Sequence, residues 1–322
     1  MKDTYFVILY YCYTNISDPN KFRENHHLFC INNNLKGRVI VSKEGINGTI
    51  SGKKNDCENY MKKIYSDKRF KNVEFKIAKH SKNVFNKLNV RLKNEIVNSG
   101  INNIDPNKLS GKYMEPREFK TILKNKPKDV VILDIRSNYE YNVGKFKNAV
   151  TLDIENFREF QIKTDKLKKY KNKKIITYCT GGVKCEKASG FLLKNGFKNV
   201  YQLHGGIIKY GIEEDGYDFA GKCYVFDNRL TVDINKSNPS IISKCYITGE
   251  PSDRMVNCAN PECNIHVSMS ENGARLFKGC CSKSCMKNEK TRVYNGSGNY
   301  QKSLNGYNPY IGYKNKSRKI KS

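Results

Sequence analysis

One cysteine in this chain stands where a protein can hold a sulfur anion. Cys179 follows a β-branched and aromatic run at 174–178, which predicts a buried strand, and residues 186–194 have helical composition. At such a junction backbone amides can point inward and the helix adds partial positive charge, so the pKa of a thiol is lowered. The predicted active loop consists of Thr180, Gly181, Gly182, Val183 and Lys184. A lone cysteine is more often a structural core residue, but the glycine pair favours a reactive thiolate.

The length of this loop limits the chemistry that it can support. A phosphatase loop would place an arginine six positions after the nucleophile, where this chain has Cys185. The basic residue is instead Lys184, five positions after Cys179, so we expect a short loop whose lysine attracts an anionic substrate. Cys185 has two interpretations: it resolves an oxidised Cys179 as a disulfide, or it is simply a buried residue of the helix.

The residues around this loop resemble those of rhodanese domains. Asp134 and Arg136 match the D-x-R signature that follows the first strand of that domain, and residues 144–149 resemble its next segment. Residues 200–207 are similar to its last strand and to the Gly-Gly turn that packs against the active loop. The resemblance implies that Cys179 accepts a sulfur atom as a persulfide.

The segments on either side of this domain resemble a more specific family. Residues 36–41 and 44–52 are similar to the N-terminal signature of the bacterial tRNA uridine hydroxylases, and the match continues after the rhodanese domain. The resemblance implies an oxidoreductase that converts the wobble uridine of tRNA to 5-hydroxyuridine, with molecular oxygen as co-substrate and Cys179 in the active site. Lys184 departs from the family, which usually has arginine at this position.

Two other functions are compatible with the same residues. A rhodanese-type sulfurtransferase would pass sulfur from a Cys179 persulfide to a thiophilic acceptor, and thiocyanate formation from thiosulfate would reveal it. A non-catalytic RNA-binding protein would need the positive charge of the chain but not its thiol. Alkylation of Cys179, with RNA affinity and product measured together, separates binding from chemistry.

Six cysteines cluster near the C-terminal end of the chain. Zinc sites use pairs of thiolates two to four residues apart, and the spacing here is imperfect because Thr248 stands where the family has a cysteine. The candidate metal ligands are Cys258, Cys263, Cys281 and Cys285, with Cys245 and Cys280 left over. Either these four thiolates bind one structural zinc ion, or the array is metal-free and its thiols are reduced.

The formal net charge of +28 favours a polyanionic partner, and the resemblance makes that partner tRNA. A chain rich in Lys and Asn from an AT-rich genome would also carry part of this charge. The densest basic run, residues 166–174, either guides an anionic substrate or forms a solvated surface. The basic residues at 313–321 either contact RNA or only increase solubility.

The cysteines and the apolar segments bear on the location of the protein. Twelve cysteines are scattered through the sequence, with a predicted thiolate among them, which favours the cytoplasm over an oxidising compartment. The apolar segment at residues 6–11 is too short to span a membrane or to act as a signal peptide. We therefore expect no membrane association.

The pattern of elements predicts an α/β chain of several domains. Near the N-terminus, strand, helix, two strands, helix and strand follow one another as in a ferredoxin-like α+β domain, and Asn47 with Gly48 is part of its middle hairpin or only a turn. The rhodanese domain should be a parallel sheet with helices on both faces. The predicted parts are residues 1–97 (ferredoxin-like), 98–115 (linker), 116–220 (rhodanese), 221–300 (Cys-rich extension) and 301–322 (basic tail).

Overall fold

The computed structural model describes residues 4–296, which begin with a five-stranded sheet and two helices. Its elements are β1 (Tyr5–Tyr13), α1 (Pro19–Asn32), β2 (Lys36–Ser42), β3 (Gly45–Lys53), α2 (Lys54–Tyr65), β4 (Lys76–His80) and β5 (Leu88–Leu92). The strand order is β4-β1-β3-β2-β5. The first four strands with α1 and α2 therefore form the ferredoxin-like arrangement that the sequence predicts, and β5 extends the sheet by pairing parallel to β2.

Alternate residues of this sheet face opposite sides. In β2, Val39 and Val41 are buried in the apolar core beneath the helices, whereas Arg38 is exposed. In β5, Val90 belongs to the same core and Arg91 is exposed. Because side chains alternate along a strand, the face away from the helices carries charged residues at its β2–β5 edge.

The Asn47–Gly48 pair lies inside β3, and the turn of the hairpin falls one step earlier, at residues 43–44. Asn47 Nδ2 donates a hydrogen bond to Ile96 O at 2.9 Å. A Cβ atom on Gly48 would lie 2.8 Å from the hydroxyl oxygen of Tyr10. The interpretation of this pair as only a turn is therefore wrong, because Gly48 makes room for a neighbouring ring.

The central domain is the predicted parallel sheet. Its elements are β6 (Lys112–Met114), α3 (Pro116–Asn125), β7 (Val130–Asp134), α4 (Asn138–Val143), β8 (Gly144–Phe146), β9 (Val150–Thr151), α5 (Phe160–Lys163), β10 (Lys174–Tyr178), α6 (Val183–Lys194), β11 (Asn199–Leu203) and α7 (Gly206–Glu213). The parallel strands have the order β6-β11-β10-β7-β9. Ile175 packs with Leu192 on one face and Ile176 with Phe119 on the other, so both faces are covered.

The segment predicted as a linker is part of the folded core. Residues 98–111 contain no helix or strand, but Ile101 and Ile104 are buried against the rhodanese sheet. Residues 112–114, also assigned to the linker, form β6 and pair with β11 at the edge of that sheet. The linker interpretation is wrong in both respects, since a high content of Asn, Gly and Pro does not exclude two isoleucines that anchor the segment.

The C-terminal region is attached to the central domain through an antiparallel pair. Its elements are β12 (Phe219–Tyr224), β13 (Thr231–Asp233), β14 (Met255–Asn257), β15 (His266–Ser268), α8 (Glu271–Leu276) and α9 (Lys283–Met286). β12 pairs with β8, so that Phe219 lies opposite Phe146. The strands and helices after β12 are short, and the Cys-rich region follows the rhodanese domain as predicted.

The basic run at residues 166–174 lies far from the active loop. It ends at the first residue of β10, whereas Cys179 follows the last one. Five residues of a strand rise by about 16 Å, so the run and the loop are at opposite edges of the sheet. This position favours a solvated surface over a guide for the substrate. The basic tail, residues 301–322, lies outside the described residues.

No helix among residues 4–296 has both the length and the apolar character needed to cross a membrane.

Candidate active site

Cys179 lies at the predicted strand-to-helix junction, between β10 and α6. The backbone N–H of Gly182 donates to Cys179 Sγ at 3.2 Å, and that of Lys184 also bonds to the sulfur. Gly182 has a φ of +104°, which an L side chain rarely adopts, and a Cβ atom there would lie 2.9 Å from the Tyr11 hydroxyl. Two of the predicted backbone donors thus reach the sulfur because glycine allows the chain to curl.

The surroundings of Cys179 favour its charged form. Burial by itself raises the pKa of the thiol, but a hydrogen bond with Cys185, the charge of Lys184 and the amides of Lys184 and Gly182 outweigh it. The result is a pKa lowered from 9.0 to about 6. The loop therefore favours the thiolate form of Cys179.

Cys185 is buried in the first turn of α6 and contacts Cys179. Burial, and then the hydrogen bond with Cys179, raise the pKa of Cys185 well above its ordinary value. It therefore remains a protonated thiol that can donate to the neighbouring sulfur anion. Burial of Cys185 is confirmed, and its role in resolving an oxidised Cys179 stays a prediction.

Lys184 already has an anionic partner. Its Nζ atom lies 2.7 Å from Glu140 Oε2, and the Glu140 side chain is fully buried in α4. Ser137 N–H donates to the same oxygen at 3.1 Å. The other oxygen, Glu140 Oε1, is buried and has no hydrogen-bond partner among the described residues. The lysine predicted to attract a substrate anion therefore balances a buried carboxylate and lowers the pKa of Cys179.

The residues that resemble rhodanese signatures surround and support the active loop. Arg136 forms a fully buried ion pair with Asp134 at 2.7 Å and donates to Gly144 O at 2.6 Å, which ties the end of β7 to β8. Gly206 has a φ of +66°, and a Cβ atom there would lie 2.5 Å from Cys179 O. The Gly-Gly turn therefore packs against the active loop as predicted.

The N-terminal domain covers the active loop, a contact that the sequence did not predict. Leu9 packs on Gly181, where a Cβ atom would lie 2.8 Å from its side chain. Two residues further along β1, Tyr11 closes over Gly182 in the same way. Tyr13 donates its hydroxyl to Val183 O at 3.2 Å. The alternation of Leu9, Tyr11 and Tyr13 along β1 is the one sequence signal of this contact.

Glu186 joins the two domains at the same place. Its Oε1 atom accepts hydrogen bonds from Tyr11 at 2.8 Å and from Tyr113 at 2.6 Å, and its Oε2 atom accepts from Gln202 at 2.9 Å. Burial, and then Glu186, raise the pKa of Tyr11 well above its ordinary value, so its hydroxyl stays a donor. A buried carboxylate on α6 is thus satisfied from both domains.

The N-terminal signature contributes a second link to α6. Lys187 Nζ lies 2.7 Å from Glu44 Oε2 and donates to the carbonyl oxygens of Ile101 and Ile104 at 3.3 and 3.1 Å. Glu44 Oε1 accepts from Ile96 N–H at 2.9 Å. Glu44, at the start of that signature, therefore forms a structural joint between the N-terminal domain and the helix that follows the active loop.

A cavity of about 190 Å³ opens beside this joint. The residues around it include Tyr11, Tyr13, Lys76, Tyr113, Glu186 and His204. Burial lowers the pKa of Lys76, and its nearest partner is Glu74 at 3.6 Å. Cys179 is only 1% exposed and does not line this cavity. In this arrangement β1 separates the Cys179 sulfur from solvent.

A basic groove, defined here by Arg38, Lys87, Arg91 and Phe226, runs between the N-terminal sheet and the C-terminal region. Its volume is about 280 Å³. The three basic side chains are exposed, and Phe226 is 45% exposed. The ring centroid of Phe226 lies 5.9 Å from Lys184 Nζ. The groove therefore ends next to the active loop.

The four predicted metal ligands come together in the C-terminal region. The sulfur atoms of Cys258, Cys263, Cys281 and Cys285 all lie within 4.8 Å of one another. Cys245 lies apart from them and accepts hydrogen bonds from Thr248 N–H at 3.4 Å and from the Ser270 hydroxyl at 3.3 Å. Thr248, three residues after Cys245, thus contacts the sulfur of Cys245 through its backbone N–H.

The fold and the loop define a protein of the rhodanese class, with an acylphosphatase-like domain before it and a Cys-rich region after it. Three family models match: the UPF0176 acylphosphatase like domain over residues 5–96, the rhodanese-like domain over 115–213 and the rhodanase C-terminal domain over 220–286. A solved rhodanese-like domain from Anabaena is 24% identical with a TM-score of 0.29, and the match covers 34% of this chain and 78% of that one.

Comparison with curated relatives assigns the chain to one family within this class. A tRNA uridine(34) hydroxylase of Cytophaga hutchinsonii is 56% identical over 311 residues, which is 97% of this chain and 99% of the relative. One of Staphylococcus haemolyticus is 46% identical over 295 residues, 89% of this chain and 91% of the relative. The chain belongs to the tRNA uridine(34) hydroxylase family, and it is an enzyme of the rhodanese type.

Proposed function

We propose that this protein hydroxylates C5 of the wobble uridine of tRNA with molecular oxygen, and that Cys179 is the reactive thiolate. In the net reaction the C5–H bond is replaced by C5–OH with one oxygen atom of O₂. The second oxygen atom leaves as water, which requires two electrons and two protons from a reductant. The substrate is inferred from the names of the two relatives, whereas the role of the thiolate is inferred from the loop.

The observation that carries this proposal is the set of hydrogen bonds that the loop makes to the sulfur of Cys179. Cys179 accepts the Gly182 N–H at 3.2 Å and has a pKa of about 6. A thiolate is the nucleophilic form of cysteine, and sites that lower its pKa are often functional. Structural buried cysteines have raised values instead, as burial gives Cys30 a pKa of about 12.

The basic groove supports tRNA as the partner. The anticodon loop is single-stranded, and proteins recognise such RNA with basic side chains along the backbone and aromatic rings that stack on bases. Arg38, Lys87 and Arg91 supply the first kind of group and Phe226 the second. Asp227 also lines the groove, but Arg229 neutralises it through contacts of 2.8 and 2.6 Å. The groove therefore presents net positive charge next to the active loop.

The experiment is a nucleoside analysis of tRNA from a strain that lacks the gene and carries one variant at a time. Wild-type protein should restore 5-hydroxyuridine, measured by mass spectrometry, and Cys179→Ala should give none. Cys30→Ala removes a buried thiol from the N-terminal core and should restore the nucleoside. Product with Cys179→Ala at the wild-type level would remove the thiolate from the mechanism, and the amount of folded protein is checked for each variant.

A sulfurtransferase is the second candidate, because the same amides that hold a thiolate would hold the outer sulfur of a persulfide. The assay supplies thiosulfate and cyanide and measures thiocyanate. Transfer that needs Cys179, in a protein that leaves tRNA unmodified, would favour this function over hydroxylation. The third outcome is a protein that forms neither 5-hydroxyuridine nor thiocyanate before any treatment. If it also binds tRNA equally well before and after alkylation of Cys179, it is an RNA-binding protein without catalysis.

A further inference from the structure

We propose that Cys258, Cys263, Cys281 and Cys285 bind one structural Zn²⁺ ion. Cys263 Sγ lies 3.6 Å from Cys281 Sγ, which lies 3.7 Å from Cys285 Sγ. These distances are far beyond the about 2.05 Å of a disulfide. Four sulfurs at about 2.3 Å from a tetrahedral zinc ion are about 3.8 Å from one another. The thiols are therefore spaced as the ligands of one ion would be.

The backbone around the four thiols supports the same arrangement. Cys258 and Cys263 flank a turn in which Cys263 N–H donates to Asn260 O at 3.1 Å. Cys281 and Cys285 lie at the start of α9, where the Ser282 hydroxyl caps the helix by accepting Cys285 N–H at 3.1 Å. Cys281 N–H points at Cys258 Sγ at 3.5 Å. Amides that donate to ligand sulfurs are a usual second layer around a metal.

The apolar core of this region is too small to fold the region by itself. Its buried members other than cysteine are Val256, Ala259, Met269 and Ala274. The two strands have three residues each and the two helices have six and four. Units with so little buried apolar surface are normally held by disulfides or a metal, and all cysteines of the described residues are free.

The donor set identifies the ion and its role. Four thiolates in a tetrahedron favour Zn²⁺ among the common divalent ions, and they leave no open position for a substrate or water. The ion would fix the chain from Cys258 to the start of β15, and Asn264 and His266 of this segment line the basic groove. The zinc ion would stabilise this region whether or not the hydroxylation proposed above takes place.

The test is the metal content of the full chain, purified without chelators and measured by plasma mass spectrometry. Wild-type protein should contain one zinc per chain, and Cys281→Ser should lose it. Cys280→Ser is the matched control, because Cys280 is the adjacent cysteine, is also buried and lies outside the cluster. It should keep one zinc. If Cys281→Ser does not fold, Cys263→Ser, at the half-buried ligand, is measured in its place.

Folded wild-type protein without bound metal would overturn the proposal, as would iron in place of zinc. Equal zinc in Cys281→Ser and Cys280→Ser would also overturn it. As a second readout, Co²⁺ exchanged into the wild-type protein should give the visible absorption of a tetrahedral thiolate site, which Cys281→Ser should lack. Because no tRNA enters these measurements, their outcome is separate from that of the hydroxylation assay.

Discussion

Among single residues, Lys184 sets the charge beside Cys179. Its ammonium group lies 2.7 Å from a carboxylate that is fully buried, and its own side chain is 15% exposed. Breaking a buried ion pair by removing one partner leaves an uncompensated charge. Lys184 therefore links two properties that can be measured separately, the pKa of Cys179 and the stability of the fold.

Lys184→Met should raise the pKa of Cys179 above about 6, because the nearest positive charge is removed. It should also destabilise the protein by about 3 kcal/mol, the usual cost of an unpaired buried carboxylate. The double variant Lys184→Met with Glu140→Gln should regain most of the stability but keep the raised pKa. Urea unfolding and thiolate absorbance measure the two effects.

Lys184→Arg keeps the positive charge and serves as the control. In this variant the pKa of Cys179 should be close to its value in the wild type. A Lys184→Met variant with an unchanged pKa of Cys179 would show that the backbone amides alone hold the anion. A double variant as unstable as the single one would show that packing at Lys184, rather than its charge, is what the fold needs.

The site could be predicted from sequence as far as its residues are neighbours in the chain. Cys179 and Gly182 follow from the spacing of a strand, a glycine turn and a helix, and Gly206 follows from the resemblance of residues 200–207 to rhodanese domains. Glu140 and Tyr11 do not, because each reaches the loop from an element more than 35 residues away. Nothing in the local pattern around Glu140 distinguishes a buried counter-ion from an ordinary helix-capping glutamate.

At the scale of elements, the Gly-Gly turn at the start of α7 supports the active loop. Ile207 N–H donates to Cys179 O at 3.0 Å, and Gly206 leaves no space for a side chain above that carbonyl. The turn therefore holds the residue that precedes the loop, and with it the direction in which the sulfur points.

Gly206→Ala should lower the free energy of unfolding by more than the positive φ of this residue alone would explain. Gly249 offers a matched control, since its φ of +74° is close to the +66° of Gly206 and its added Cβ would meet nothing within 4 Å. Gly249→Ala should cost about 1 kcal/mol, whereas Gly206→Ala should cost at least about 2 kcal/mol more because of the backbone clash. Equal decreases in the free energy of unfolding of the two variants would contradict this role.

At the scale of the whole molecule, the N-terminal domain closes the active loop. Cys179 is 1% exposed, so a nucleobase cannot reach it while Leu9 and Tyr11 lie on the loop glycines. The ferredoxin-like order of this domain could be predicted from its pattern of strands and helices. Its placement over the loop could not, because that contact joins surfaces far apart in the sequence.

Leu9→Ala should make Cys179 easier to alkylate. Removing a contact of about 1–2 kcal/mol raises the population of the open arrangement roughly 5- to 30-fold, and the alkylation rate should rise accordingly. Leu28→Ala, at a side chain that is 57% exposed on α1, is the control and should leave the rate unchanged. If the two variants react at equal rates, β1 is not the element that closes the site.

The basic groove makes a second prediction at this scale. Arg38→Glu with Arg91→Glu should weaken tRNA binding and reduce its dependence on salt, by about 0.7 in logarithmic slope for each phosphate that is no longer neutralised. Lys62→Glu with Lys63→Glu makes the same change of charge on α2, on the other face of the sheet. Binding titrations at several salt concentrations should show the larger decrease in affinity for the arginine pair, and equal decreases would place the RNA elsewhere.

The proposed chemistry depends on Cys179 being ionised in the folded protein. The direct measurement is the ultraviolet absorbance of the thiolate as a function of pH, taken as the difference between the wild type and Cys179→Ser. The folded-state pKa lies below the 9.0 of a free thiol, so the signal should be present at pH 7 and disappear as the pH falls through about 6. A midpoint at 9.0 or above would contradict the thiolate and with it the proposed chemistry.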